Sequence, residues 1–540
     1  MTITLQRLRA PFVFALFMGL MAAFVTVAQP ARAQSAVPAF AQAVAEAAAR
    51  DKDIAAFYQA NGYQPIWTGT SGKHRSRRSA LLKVLGSAGD HGLPTSAYDM
   101  DILKTNLRQV DSKRQLGQLE VEMSRLFLLY ARHVQTGVLT PQRVDSGIVR
   151  EVPLRGRTAL LTAFSKSSPA GFLKALPPKS GEYARLMKEK LRLEKLLAKG
   201  GWGQNVPGKS LKPGATGNAV VILRNRLIAM GYMKRSATQT YDTDMQRAVQ
   251  LFQIDHGLNP DGVVGDGTMK EINKPVEKRL QSILVAMERE RWMNIDRGKR
   301  HIWVNLTDFT AQIIDGGKVT FQTRSVVGKN TSDRRSPEFS DVMEFMIVNP
   351  SWNVPRSITT REYLPAMQRN AGAAGHLQLI DSRGRVVSRS NVDFSAYSAS
   401  TFPYAMRQAP GTRNALGLVK FMFPNRHNIY LHDTPSKNLF AREVRAFSHG
   451  CIRLGDPFDF AYALLAKQSS DPKGTFHAAL ESGRETRIDL VNPVPVHIVY
   501  RTAAMPAKGR ANYRRDVYGR DAKIFNALAK AGVVLRAVRG

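Results

Sequence analysis

The chain has 540 residues, enough for several domains each with its own core. Hydrophobic residues at 43% and charged residues at 22% are ordinary globular proportions and exclude wholesale disorder. Lys+Arg 78 against Asp+Glu 43 leave a net charge of +35, so the surface favours polyanions: nucleic acid, acidic lipid headgroups or an anionic wall polymer.

In chain order, residues 1–33 have the layout of a secretory signal. Arg7 and Arg9 precede an uncharged apolar stretch from Pro11 to Ala28, and Ala31-Arg32-Ala33 offers a small-x-small cleavage site. The same stretch read as an uncleaved anchor is the alternative. Cleavage after Ala33 removes three arginines and leaves +32 (35 − 3). Export turns the basic charge away from nucleic acid and towards a cell-envelope polyanion. No later run is long and apolar enough to span a bilayer.

Residues 34–205 read as a helical scaffold. AFAQAVAEAAARDKDIAAFYQANG opens it, RQLGQLEVEMSRLFLLYARHVQTG places Leu119, Met123, Leu126 and Tyr130 at helical spacing, and GEYARLMKEKLRLEKLLAKGG ends on a glycine pair. No catalytic cluster lies there. The Gly/Pro-rich stretch 200–217 reads as a linker. Within 206–275, NAVVILRNRLIAMGY, DTDMQRAVQLFQIDHG and TMKEIN predict three short helices, with Val220, Leu223, Leu227, Met230, Met245, Val249 and Phe252 facing one core.

From about residue 300 the apolar period becomes alternating. HIWVNLTDFTAQIIDGGKVTFQTRSVVG predicts strands around an Asp315-Gly316-Gly317 hairpin turn, and LGLVKFMFPNRHNIYLHD predicts two more around Pro424-Asn425. Between them, residues 357–406 are polar and rich in Gly, Ser and Arg, either a lid over an active site or a disordered insertion. FDFAYALLAK predicts a helix, HIVYRTAAM a closing strand, and the tail 501–540 another short helix that packs on scaffold or catalytic domain. The fold class is therefore multi-domain α+β: a helical scaffold, a three-helix unit and a β-rich domain over 276–500.

The β-rich domain holds the sole cysteine, Cys451, in RAFSHGCIRLGDP. One cysteine cannot form an intrachain disulfide, and an exported thiol is costly to leave idle. A nucleophilic thiol needs a base and nearby positive charge. His449, two residues away, and His432, nineteen residues upstream (451 − 432), compete for the role. Asp433 and its neighbours offer a partner for the second imidazole nitrogen. Ser448-His449-Gly450-Cys451 would supply N–H groups around a reacting carbonyl, with Gly450 allowing close approach, and Arg453 can hold the loop or a substrate carboxylate. Zinc held by Cys451, His432 and His449, or a structural cysteine beside satisfied histidines, are the competing readings.

Two stretches carry family resemblances. AVQLFQIDHGLNPDGVVGDGTM resembles the peptidoglycan-binding domain of wall enzymes, and His432 followed by SHGCIRL at 448–454 resembles the active-site signature of the L,D-transpeptidases, with their YkuD-type fold. SVVGK, FMIVNPSWNVPRSI, RQAPGTRNALGLVKFMFPNRHNIYLHDTPSKNLF and DVYGRD are similar to the large multi-domain periplasmic branch. The resemblance implies Cys451 as nucleophile, His432 as base, the Asp433 carbonyl orienting the ring, and His449, Gly450 and Cys451 as the anion-stabilising turn. Ser448, Arg453, Trp352, Asn353 and Tyr430 are the implied substrate-binding residues. The implied reaction, in cell-wall biogenesis, cuts a tetrapeptide stem between meso-diaminopimelate and D-alanine and joins it to a second diaminopimelate, a 3→3 cross-link. It implies no cofactor or metal, a capping role for 357–406, acylation by carbapenems, and peptidoglycan stem peptides as partners, with other wall-synthesis proteins or anionic envelope polymers beside them. A protein amine as acceptor, or a non-enzymatic wall-binding scaffold, are the alternatives.

Overall fold

The computed structural model describes residues 37–537, and the export segment expected over 1–33 lies outside them. Buried side chains gather into five clusters among the described residues.

The first is helical, between Val44 and Leu176. Its longest helix, Lys113–Thr136, starts in a capping box in which Ser112 and Gln115 satisfy each other's backbone N–H groups. Leu119, Met123 and Tyr130 are buried as the spacing predicts, whereas Leu126 is only half-buried. On the same helix Glu120 is fully buried. It accepts from the N–H groups of Ile66, Trp67 and Thr68 and from the Tyr58 hydroxyl, replacing the water it lost.

The second core joins helices Asn218–Ala229, Thr243–Asp255 and Asp266–Ile272. The Gly/Pro-rich stretch before them is not a free linker. Val206 is buried and exchanges hydrogen bonds with Asn273, and Leu211 bridges Val264. Two apolar residues spaced among glycines, Val206 and Leu211, pin it.

The third core is a junction. The helix Val276–Trp292 packs against Gly181–Ala198 from the scaffold and against Ala503–Val533 from the tail. Buried charges lace it together: Arg289 pairs with Glu338 and Asp521, Arg501 with Glu290 and Glu182, and Arg520 with Glu338 and Asp145. Each of these charges has an opposite partner, which is what makes its burial tolerable.

The fourth core lies under the largest sheet. In chain order the strands are β1 Arg300–Asn305, β2 Thr310–Asp315, β3 Lys318–Gly328, β4 Phe339–Val348, β5 Trp352–Asn353, β6 Gln378–Ile380, β7 Val386–Val387, β8 Ala405–Gln408, β9 Val419–Met422, β10 Leu431–His432, β11 Ala446–Ser448, β12 Ile452–Leu454 and β13 Thr486–Val499. The large sheet runs β11-β3-β12-β10-β9-β4-β13-β1-β2, and β3 also pairs β2, so it closes on itself. The β2–β3 hairpin turns through Gly316 and Gly317 at φ +57° and +79°, the left-handed pair a tight right-twisted hairpin requires. The closing strand predicted from HIVYRTAAM starts earlier, at Thr486. A register shift between Asp489 and Val494 absorbs the prolines that hide it.

The fifth core is the 357–406 region itself, extended at both ends. It is neither a loop nor disordered: β5, β8, β6 and β7 form a small sheet, and Trp352, Leu364, Met367, Leu379, Phe394, Phe402 and Met406 fill its interior. Tyr430 of the large sheet packs against this core, which seats the small unit beside SHGC.

Candidate active site

The turn carrying Cys451 is built from three sides. β11 ends at Ser448 and β12 begins at Ile452, so His449, Gly450 and Cys451 form the crossing. Gly450 sits at φ +119°, a conformation side chains resist, although a Cβ there would have room. The Ser448 hydroxyl donates to the Cys451 carbonyl at 2.5 Å and accepts from the Gly450 N–H at 3.2 Å. From behind, the buried Ser336 hydroxyl donates to the Gly450 carbonyl at 2.6 Å and accepts from the Gly328 N–H at 2.9 Å. The Gly450 N–H is thus already taken. That of Cys451 has no acceptor among the described residues and is the free donor beside the sulfur.

Strand register decides which residues share the thiol's face. β10 and β12 run parallel, with Leu431 opposite Ile452 and His432 opposite Arg453. Leu431, Ile452 and Leu454 point into the core. By alternation Tyr430, His432, Cys451 and Arg453 occupy the other face. On the far side of β10, β9 brings Lys420 opposite His432.

His432 is buried, and its Nδ1 lies 2.5 Å from the Asp433 carbonyl oxygen. A carbonyl only accepts, so Nδ1 carries the proton and Nε2 keeps its lone pair. The Asp433 side chain is spent elsewhere: it accepts from Leu418 N–H at 3.0 Å and pairs with Lys437 at 2.6 Å, fixing the loop whose carbonyl aims the ring. Burial, then the Arg453 charge, push His432 down to about 3. Burial pushes the Cys451 thiol up to about 11, against hydrogen bonds from Tyr430 and the Arg453 charge. At neutral pH the pair therefore rests as thiol and neutral imidazole. The thiol donates to the Asn428 carbonyl at 3.4 Å and not to His432, so no proton has yet been drawn from sulfur to the ring.

The other histidine faces away. His449 Nε2 lies 2.7 Å from Glu362 Oε1, and Arg334 holds the same carboxylate at 2.6 Å. Glu362 belongs to the small capping unit, so this cluster ties cap to turn. Cys451, His432 and His449 do not converge, and among the described residues no group of three His, Cys, Asp or Glu side chains is placed to hold a metal. Trp352 is buried in the capping core, its ring edge-on to Tyr363, and helps hold that unit together. Asn353 is exposed opposite Arg407. Ser336, Glu362 and Lys420 carry no motif and escaped the sequence. Only Lys420 left a signal, the out-of-phase polar residue in VKFM.

Comparison with known proteins now meets this geometry. The YkuD family, the L,D-transpeptidase catalytic domain, matches residues 299–476, which carry β1 to β12. The strand-rich unit is an L,D-transpeptidase catalytic domain. A peptidoglycan binding domain family matches residues 216–272, the three short helices, and a scaffold domain family matches 52–189. A Haemophilus influenzae protein assigned as an L,D-transpeptidase is 31% identical over 242 residues, 44% of this chain and 48% of its own length. The chain thus spans about half of that relative. Among solved structures, an L,D-transpeptidase from Xylanimonas cellulosilytica is 14% identical, covering 54% of this chain and 98% of its own, with a TM-score of 0.16. An L,D-transpeptidase from Stackebrandtia nassauensis is also 14% identical, covering 54% of this chain and 96% of its own, with a TM-score of 0.22. The transpeptidase domain, the peptidoglycan binding domain and the scaffold together make the multi-domain α+β fold read from the sequence. Among the described residues no helix is long and apolar enough to cross a membrane.

Proposed function

We propose that the protein is a periplasmic, cysteine-dependent L,D-transpeptidase that forms 3→3 cross-links between peptidoglycan stems. The observation that carries this reading is the shared face of Cys451 and His432, with the ring oriented by the Asp433 carbonyl inside a transpeptidase domain. Neutral Nε2 of His432 takes the thiol proton as Sγ attacks the carbonyl carbon of diaminopimelate. The Cys451 N–H donates to the oxygen that gains charge. The C–N bond breaks, His432 returns the proton to the nitrogen of D-alanine, and a thioester remains. The side-chain amine of a second diaminopimelate attacks it and gives a proton to His432. The C–S bond breaks, and that proton returns to sulfur. The peptidoglycan binding domain supports wall polymer as the setting.

Purified protein incubated with disaccharide-tetrapeptide tests this by mass spectrometry. Dimers and free D-alanine are expected from the wild type and none from Cys451→Ala. Dimer formation that survives Cys451→Ala refutes the assignment. Release of D-alanine without dimers, with transfer to a protein amine instead, replaces the acceptor.

A further inference from the structure

Lys420 has no part in the reaction as written above. It lies on β9 directly opposite His432, and Arg453 lies opposite His432 on the other side, so the imidazole is flanked by a cation on each neighbouring strand. Residues paired this way have Cβ atoms about 5 Å apart on the same face. Val419 and Phe421 point into the core, so Lys420 points out with the site. It is half-buried, yet makes no ion pair or side-chain hydrogen bond among the described residues. Glu485, the one carboxylate whose charge pulls on it, accepts from the Ser351 N–H instead. Burial lowers the Lys420 pKa, and only the distant pull of Glu485 opposes it. A half-buried ammonium without a counter-ion is held at a cost, which a bound anion offsets.

Its position says which anion. Across the strands the order is Cys451 immediately before β12, His432 on β10, Lys420 on β9. A scissile bond attacked by Sγ and protonated by His432 has its acyl half over β12 and its amine half over β10. The next atoms on the amine half lie over β9. We infer that Lys420 is the carboxylate-binding residue for the amine half, taking an α-carboxylate on the carbon that bears the reacting nitrogen. This rests on the transpeptidase reading and sharpens it. The leaving D-alanine has such a carboxylate, and so does the side-chain amine centre of a diaminopimelate acceptor. A protein N-terminus has an amide there instead. One lysine thus serves departure and attack, and favours free D-α-amino acids over polypeptide amines.

The test compares the disaccharide-tetrapeptide with the same compound amidated at its terminal carboxylate, measuring kcat and KM for release of the fourth residue. Wild type is expected to prefer the acid by about 10- to 100-fold in kcat/KM, the range of a charge-assisted hydrogen bond. Lys420→Met should lose that preference, mainly through KM, and Lys420→Arg should keep most of it. Equal losses on acid and amide would mean that Lys420 acts through the fold or His432, and would overturn the inference, as would an unchanged preference in Lys420→Met. Wild type that turns over neither compound refutes the transpeptidase reading itself and the inference with it, a failure seen without any variant.

Discussion

Replacing Ser336 by alanine removes one hydroxyl and strands two backbone groups. The Gly450 carbonyl loses a donor at 2.6 Å and the Gly328 N–H loses an acceptor at 2.9 Å, both in a fully buried setting. A buried group left unsatisfied costs about 1–3 kcal/mol, so the two together destabilise the native state by about 2–6 kcal/mol. The chain neighbours offer no replacement: the Ser448 hydroxyl is already shared between the Cys451 carbonyl and the Gly450 N–H. The loss falls on the back of the nucleophile turn, so the Cys451 N–H swings away from the attacked carbonyl. Denaturant unfolding should show the lower stability, and mass spectrometry should show acylation by a carbapenem slowed by about tenfold or more at a concentration of folded protein matched to wild type. Ser336→Ala that keeps both stability and acylation rate would refute the view that this hydroxyl sets the turn.

Glu120 supports the scaffold in the same way. Glu120→Ala leaves the N–H groups of Ile66, Trp67 and Thr68 unpaired and should destabilise the protein by about 3–5 kcal/mol in urea unfolding. A loss below about 1 kcal/mol would show that water replaces the carboxylate. Acid should also weaken the fold. Burial lowers His91, His133 and His497 to about 4 each, so unfolded chains bind protons below about 6.5 that the native state refuses. Stability is full above pH 6.5 and falls as pH drops towards 4, by up to about 3 kcal/mol for each histidine. A thermal midpoint that is flat across pH 4–6.5 would contradict this.

Much of the catalytic domain was legible because its signals are local. The Asp315-Gly316-Gly317 turn, the alternation of HIWVN and the strands around Pro424-Asn425 depend on neighbouring residues, and all formed. The choice of His432 over His449 is different: its spacing could suggest, but not reveal, that His449 turns towards Glu362, 87 residues away. The capping unit was hidden by composition. Its core residues are diluted among Gly, Ser and Arg, so no window shows a period although the folded unit buries Phe394, Phe402 and Met406 together. β13 was truncated in the reading because Pro493 and Pro495 look like breakers, and only the pairing with β4 shows how a register shift accommodates them. Glu120 and Ser336 matter through partners far along the chain, and single residues carry no trace of such partners.

β13 also sets an order of events. It lies between β4 and β1, pairing β4 along most of its length and β1 through Val496–Val499, and the ring of strands stays open until it inserts. The family match ends at residue 476, before β13 begins at Thr486. A fragment cut at that match would keep Cys451 and His432 and lack the strand that closes their sheet. During synthesis the nucleophile and base exist long before they have a finished frame, and pairings across such sequence distances form slowly. The thiol is thus assembled late, by a strand that contributes nothing to its chemistry.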